Sequence, residues 1–525
     1  MNQSTVFQYG QEHLTPAIAL AIADGHCRGV LNDTARGRIE KSRRRVAELA
    51  ASEAAVYGIN TGFGPLCTTR ISPEDTRALQ RNLIMSHASG MGEPIPARLA
   101  KLMLILKAHT LCRGNSGVAI PTVERIIWHI ENNVIPLVPC QGSVGASGDL
   151  APLSHLFLPL IGLGLIQSGA EARPAGRLLE EKGLPPIQLG PKEGLALING
   201  TQFMAAHAVW AVRRLQHCLD LADIAGAMSL EAQAGSDRPF LAELHALRPH
   251  PGAKLVARRL SAWLHGSQMV ESHAGCDRVQ DAYSLRCMPQ VHGASRQAWA
   301  HLRDAVEVEI NAVTDNPVIL ENGEAVSGGN FHGQPLALPL DYAALAASEL
   351  GNIADRRVYS LLHGNDQGLP ALLLAKTGLQ SGFMICQYTS AALASENKTL
   401  CFPASADSIP TSLGQEDHVS MGSIAARKLH RILDNLERIQ AVEFTCAAQG
   451  MDFRRPLRSS EMLEAVHARI RLGITHAEND RVFADDLACA EGLVRDGSLL
   501  TVARQSALEN GIDLNGDDHE RFASD

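Results

Sequence analysis

Small residues crowd one stretch, Gly142-Ser143-Val144-Gly145-Ala146-Ser147-Gly148-Asp149, which leads into the apolar run Leu150-Ala151-Pro152-Leu153-Ser154-His155. Ala146, Ser147 and Gly148 are residue types with which a backbone can cyclise on itself. The Gly148 amide nitrogen attacks the Ala146 carbonyl, and two waters leave, one of them carrying the Ser147 hydroxyl. The product is a five-membered methylidene-imidazolone with an electrophilic exocyclic carbon. The reaction needs a bend so tight that consecutive peptide groups collide, and glycine at the attacking position removes the side-chain clash. A bare Ala-Ser-Gly is an ordinary turn, so the residues around it carry the argument. A serine-hydrolase elbow is excluded, because Asp149 stands where that motif needs its last glycine.

Other segments hold residue types suited to acting beside such an electrophile. Tyr57 leads the glycine-rich loop Tyr57-Gly58-Ile59-Asn60-Thr61-Gly62-Phe63-Gly64-Pro65, and loops held on rigid scaffolds often carry function. Ser86-His87 ends an apolar-periodic segment. Asn199 lies in Leu197-Ile198-Asn199-Gly200-Thr201. In Gln280-Asp281-Ala282-Tyr283-Ser284-Leu285-Arg286-Cys287, Tyr283 and Arg286 are three apart, so one helical turn brings them to the same side. The planar fork of Arg286 suits a carboxylate. Gly328-Gly329-Asn330-Phe331-His332 and Gln415-Glu416-Asp417-His418-Val419-Ser420-Met421 complete the set.

Jointly these segments resemble the aromatic amino acid ammonia-lyase family, its histidine-specific branch above all, from Tyr57 to about Pro456. Departures are small: Ala282 stands where many relatives have proline, and Gly414 where asparagine is usual. The resemblance implies a methylidene-imidazolone formed autocatalytically from Ala146, Ser147 and Gly148, with no diffusible cofactor and no metal. It implies a non-oxidative deamination of L-histidine to trans-urocanate and ammonia. Two obstacles stand in the way of that reaction: amine is a poor leaving group, and the β-hydrogen is barely acidic. An electrophilic carbon eases the first. For the second, the resemblance implies Tyr283 as base, a role open to tyrosine where positive charge brings its hydroxyl down from ~10. Tyr57 matches the second catalytic tyrosine, and Arg286 matches the carboxylate clamp. Asn199 matches the residue bonded to substrate or ring, Gln280 and Phe331 match pocket-lining positions, and Gly64 lies near the modified ring. His87 and Glu416 match the residues that face the substrate side chain. Tyrosine lyases share the Ser-His pair, so Glu416 discriminates better: a carboxylate complements an imidazole and is stranded against a phenyl ring. The alternative is a tyrosine or phenylalanine lyase, or an aminomutase, using the same group.

Composition says what must position these residues. Of 525 residues, 45% are hydrophobic and only 4% aromatic, with abundant Ala and Leu, a pattern of long helices with small side chains at their contacts. Patterns of about 20 residues or more cover Pro289 to Ala312, Leu338 to Leu362, Gly382 to Leu400 and Met421 to Ala448, and an Ala-rich helix is expected from Ala196 to about Gly235. Shorter helices are expected within Thr15 to Val56, Glu74 to Met91, Arg98 to Leu111 and Val123 to Asn133, and a strand-rich excursion around Ala170 to Leu189. The fold class is therefore mainly α, an elongated helix bundle with a smaller mixed N-terminal active-site region, which the resemblance makes fumarase/aspartase-like. The expected division is 1–190, with the Ala-Ser-Gly loop, and 191–525, the long bundle and C-terminal helices. The resemblance further implies a homotetramer whose pockets draw on more than one subunit.

A net charge of −9, with both signs interspersed, leaves no basic footprint for nucleic acid or an anionic membrane. The partner expected is a small amino-acid substrate. Eleven scattered cysteines without a Cys-x-x-Cys pair suit free thiols in a reducing compartment, and Met1 to Glu12 lacks the pattern of a signal peptide; the expectation is cytoplasmic. The stretch Leu150 to Ile166, broken by prolines and glycines, reads as buried core rather than a membrane span. Asp513 to Asp518 has the wrong spacing for a calcium loop and reads as a solvated acidic end.

Overall fold

In the computed structural model, residues 5–72, 74–168, 171–365, 367–514 and 520–522 are described. Met1 to Ser4, Ala170 and most of the acidic end, Asn515 to Asp518, lie outside them. Four long helices, Gln202–Ala232, Met288–Ile310, Gln334–His363 and Gly422–Asp452, pack on one another as the central bundle. Their contact faces are built from small residues, among them Ala343, Ala344, Ala347, Ala425 and Ala426, so the backbones approach closely with little side-chain entropy lost. Met384–Leu400 packs on the outside of this bundle against Gln334–His363 and Gly422–Asp452. The fold is mainly α, as the sequence indicates; its strands are short and pair in twos.

Polar cross-ties set the register of the long helices. Asp220 accepts from Arg259 and Arg296, and Arg504 reaches its other oxygen at 2.7 Å. Burial alone would raise the Asp220 carboxyl, but these three guanidiniums hold it below the usual carboxylate range. Asp223 accepts from Arg296 and from the His292 ring, and Arg357 pairs with Glu443. A buried charge is tolerated only when its partners are complete, so these ties disfavour sliding of one helix along the next.

The N-terminal part is mixed. Thr5–Gln8 pairs in parallel with Cys27–Val30, Met91–Pro94 antiparallel with Pro139–Gln141, and Leu165–Ser168 antiparallel with Glu171–Pro174. Ala97–Cys112 runs through the centre with every residue from Leu102 to Cys112 buried, which is why its sequence is mostly apolar. One apolar cluster extends from Phe7 through this helix into Gln202–Ala232, Gln334–His363 and Gly422–Asp452. Among the described residues no helix is long and apolar enough to cross a membrane.

Three expectations need correction. Thr15 to Val56 holds two helices, Pro16–Ala23 and Asp33–Ala51, with the strand Cys27–Val30 between them. The strand-rich excursion expected around Ala170 to Leu189 ends at Pro174, after which Ala175–Glu181 is helical, its strong helix formers following a proline that cannot continue the ladder. The helix expected to run unbroken from Ala196 is two, Glu193–Ile198 and Gln202–Ala232, separated at Asn199-Gly200-Thr201, where Gly200 has φ +131°. That break presents Asn199.

Candidate active site

Ala146, Ser147 and Gly148 lie in a cradle made by two helix starts. On one side, Ser420 Oγ donates to the Gly145 carbonyl at 3.2 Å and the Met421 amide to the Val144 carbonyl at 2.9 Å, just ahead of Gly422–Asp452. On the other, the Gly200 amide donates to the Ser147 carbonyl at 3.3 Å and the Asp149 amide to the Gly200 carbonyl at 2.8 Å. Gly148 has φ +74°, and a Cβ there would sit 2.1 Å from the Gly200 carbonyl oxygen. Only glycine occupies this position without strain or collision. The residues therefore fit a cyclised Ala-Ser-Gly: the backbone is already tightly bent, glycine is obligatory at the attacking position, and Ser147 faces open space.

That space is a cavity of about 580 Å³ lined by Tyr57, His87, Ser147, Asn199 and Glu416 together with apolar side chains such as Phe63, Leu83 and Leu195. Five of the residues singled out in the sequence thus share one chamber, and Gly64 is in its wall. Tyr57 is fixed by its loop: buried Asn60 bonds the Val56 amide and the Ala54 carbonyl, and the Gly64 amide donates to the Tyr57 hydroxyl at 3.3 Å. Burial raises the Tyr57 hydroxyl above its ordinary range, the Gly64 bond opposes this, and the Glu416 charge adds to the rise. His87 ends Thr76–His87 with Nδ1 3.0 Å from Ser86 Oγ; burial lowers its ring pKa, against the Leu83 carbonyl and Glu416.

Glu416 is the most tightly oriented group. Its Oε2 accepts from Thr411 Oγ1 and Ser412 Oγ, both at 2.9 Å, while Oε1 accepts from Ser147 Oγ at 2.7 Å. The two loop hydroxyls on Oε2 fix the direction of the carboxylate. Asn199 Oδ1 is buried at the chamber wall and has no hydrogen-bond partner among the described residues, an acceptor held in reserve.

Gln280, Tyr283, Arg286 and Phe331 do not line this chamber. Tyr283–Arg286 is a single helical turn, with the Arg286 guanidinium 4.5 Å from the Tyr283 ring centre. Arg286 donates to Gln280 Oε1 at 2.8 Å. The two side chains are adjacent, yet Tyr283, 71% exposed, borders a different cleft from the one holding Gln280 and Arg286. Phe331 is half-buried beside His332, whose ring stacks with that of His418 at 5.9 Å.

Sequence reasoning missed the support beneath the chamber. Asp149 Oδ2 accepts the Phe203 and Met204 amides, capping Gln202–Ala232 from outside that helix. Burial pushes the Asp149 carboxyl up to about 7, against these bonds and one from Ser143. Lys107, completely buried on Ala97–Cys112, donates to the Asn199 carbonyl at 2.6 Å. Lys107, closing the apolar run Leu102-Met103-Leu104-Ile105-Leu106, was the available signal, since a charge in a buried apolar stretch must find a partner. Among the described residues no group of His, Cys, Asp and Glu is placed to hold a metal ion.

Comparison with known proteins agrees over nearly the whole chain. Residues 14–472 match the family model of aromatic amino acid lyases. A histidine ammonia-lyase of Anaeromyxobacter sp. (strain K) is 49% identical over 498 residues, 93% of this chain and 98% of that protein. The crystal structure of histidine ammonia-lyase from Trypanosoma cruzi superposes with TM-score 0.89 at 40% identity, covering 99% of this chain and 97% of that one. Tyrosine aminomutase from Streptomyces globisporus superposes with TM-score 0.90 at 33% identity, covering 96% and 99%. The matched span includes the bent Ala-Ser-Gly, the chamber above it and the long bundle beneath, and the chain belongs to the aromatic amino acid lyase family.

Proposed function

We propose that the protein is a histidine ammonia-lyase, a carbon–nitrogen lyase converting L-histidine to trans-urocanate and ammonia. The observation that carries the choice of histidine is Glu416, a carboxylate held by Thr411 and Ser412 and opening on the same chamber as His87. A phenyl ring offers such a group nothing, and stranding it is costly. The imidazole of histidine offers an N–H to the carboxylate, and the oriented charge stabilises any positive charge the ring acquires.

The cyclised Ala146-Ser147-Gly148 supplies an electrophilic carbon that makes the substrate amine easier to expel. The cradle described above would hold it, and Asn199 Oδ1 is free to accept from the substrate amine or the ring. Tyr57, kept in its hydroxyl form by burial, is available to pass a proton near the amine. Tyr283 takes the β-proton, Arg286 grips the carboxylate, and Gln280 and Phe331 close the pocket. As the C–N bond breaks, the electrons released at the β-carbon form the double bond of urocanate.

In one chain these last four residues lie outside the chamber, so the proposed assembly is a homotetramer in which neighbouring copies supply them. Exposed apolar side chains support an assembly face: Leu338, Tyr342 and Leu345 on Gln334–His363, and Ile385 and Tyr388 on the adjacent Met384–Leu400.

Purified protein incubated with His, Tyr or Phe tests the reading directly. Urocanate forms from His, with Phe turned over some 10⁴ to 10⁵ fold less efficiently. Comparable efficiency on Tyr, or a β-amino acid as product, would place the protein with the tyrosine lyases or the aminomutases. Intact mass falls short of the sequence mass by two waters per chain in active enzyme and not in Ser147→Ala.

A further inference from the structure

Beneath the chamber, one peptide plane is held at both ends. Its oxygen, the Asn199 carbonyl, accepts from Lys107 Nζ at 2.6 Å. Its N–H, that of Gly200, donates to the Ser147 carbonyl at 3.3 Å. The next carbonyl, of Gly200, accepts the Asp149 amide and lies against Gly148, so close that no Cβ fits between them. The Asn199–Gly200 segment is thus a rail against which the Ala146–Gly148 bend rests, and its first residue carries the unpaired Oδ1 in the chamber wall.

We propose that Lys107 is a positioning residue that fixes this rail from below, aiming the Asn199 amide into the chamber and holding the Ser147–Gly148 peptide in the bend from which it cyclises. This rests on the function proposed above. Lys107 is completely buried; besides the Asn199 carbonyl it reaches, among the described residues, only Gln202 Oε1, at 3.4 Å. A donor at the Asn199 oxygen polarises the peptide and strengthens its N–H as donor to Ser147, because hydrogen bonds in series reinforce one another at low dielectric. Burial brings the Lys107 ammonium down to about 7, opposed by Asp315 and Asp149 and aided by Lys192. Either protonation state keeps an N–H for the Asn199 carbonyl. A lysine with structural duties alone would be served as well by methionine, which fills the same space without burying a charge.

The test uses the full-length enzyme. Lys107→Met removes the donor, and Lys107→Gln keeps a neutral one. In Lys107→Met a substantial fraction of chains retains the full sequence mass at Ala146–Gly148, and kcat per cyclised chain falls ~10 to 100 fold, as a misplaced contact group costs. Lys107→Gln recovers part of both. Should Lys107→Met not fold, Lys107→Gln carries the test through a double-mutant cycle. Since Lys107 acts through Asn199, Lys107→Gln lowers the turnover per cyclised chain of the wild type but adds nothing to the loss caused by Asn199→Ala. Full cyclisation with unchanged kcat in the lysine variants, or additive losses in the cycle, would overturn the proposal. A wild-type chain lacking the two-water deficit would instead overturn the functional reading on which it rests.

Discussion

At the scale of single residues, chemistry and geometry meet most directly in Glu416. Its Oε2 is held by two hydroxyls of its own loop, so its direction into the chamber is set before substrate arrives, while Oε1, which accepts from Ser147 Oγ until cyclisation removes that hydroxyl, is then open to the imidazole. Glu416→Gln leaves an amide oxygen for the loop hydroxyls but turns an NH₂ toward the substrate, and removes the charge that complements imidazole. Histidine turnover in this variant is expected to drop ~10² to 10³ fold, the usual cost of losing one preorganised electrostatic contact. The much slower reaction with Phe changes little, so the preference for His over Phe narrows. Steady-state kinetics on the two substrates check this, and undiminished histidine turnover would remove Glu416 from substrate recognition. The residues with unusual chemistry for their position, a tyrosine opening a glycine loop or a carboxylate beside a histidine, were legible in the sequence. Thr411 and Ser412 were not, because ordinary hydroxyls acquire meaning only from the direction in which they point.

At the scale of elements, the long helices could be read from their periodicity to within a few residues, whereas the interruption at Asn199-Gly200-Thr201 could not. Asn199-Gly200 is a turn-favouring pair, but a single glycine is also tolerated within a helix, so the sequence leaves the break undecided, and pairing of Gly200 with the Ser147–Asp149 backbone fixes it. Tertiary contact here settles what propensity leaves open. A second joint lies at the far end of Gly422–Asp452, where Asp452 accepts from His467 and Arg471 of Glu461–Arg471 and from His476, each at 2.7 Å. Burial raises the Asp452 carboxyl, but these partners outweigh it and bring the pKa to about 2 from the ordinary 3.8. A carboxyl depressed in the folded state contributes stability that is present above its unfolded value and is lost as pH falls through the folded one. Asp452→Asn should therefore be less stable to urea than wild type near neutrality, with the difference shrinking as pH is lowered from about 4 toward about 2. A difference that stays constant over that window would show that the joint is not held by the Asp452 charge.

At the scale of the whole molecule, the sequence placed nine positions in one pocket, counting Ser147 for the modified tripeptide, and the single chain gathers five. Tyr57, His87, Ser147, Asn199 and Glu416 meet because the Tyr57 loop, Thr76–His87, the helix break and the Thr411–Glu416 loop converge on the bent Ala-Ser-Gly. Gln280, Tyr283, Arg286 and Phe331 are spread over other surfaces, and no pattern along a chain reveals which copy of a residue serves which pocket. The proposed assembly makes a sharp prediction about mixed subunits. Ser147→Ala chains lack the electrophile but keep Tyr283; Tyr283→Phe chains keep the electrophile but lack the hydroxyl. Each alone is inactive. When the two are co-expressed and assemble at random, a pocket is complete only if its Ser147 comes from the second kind of chain and its Tyr283 from the first, which is about one pocket in four for equal amounts in a closed symmetric oligomer. Activity near a quarter of wild type in purified hybrids is the expected result. Hybrids as inactive as their parents would mean that Ser147 and Tyr283 must serve one pocket from the same chain, and the proposed sharing of sites between copies would fall.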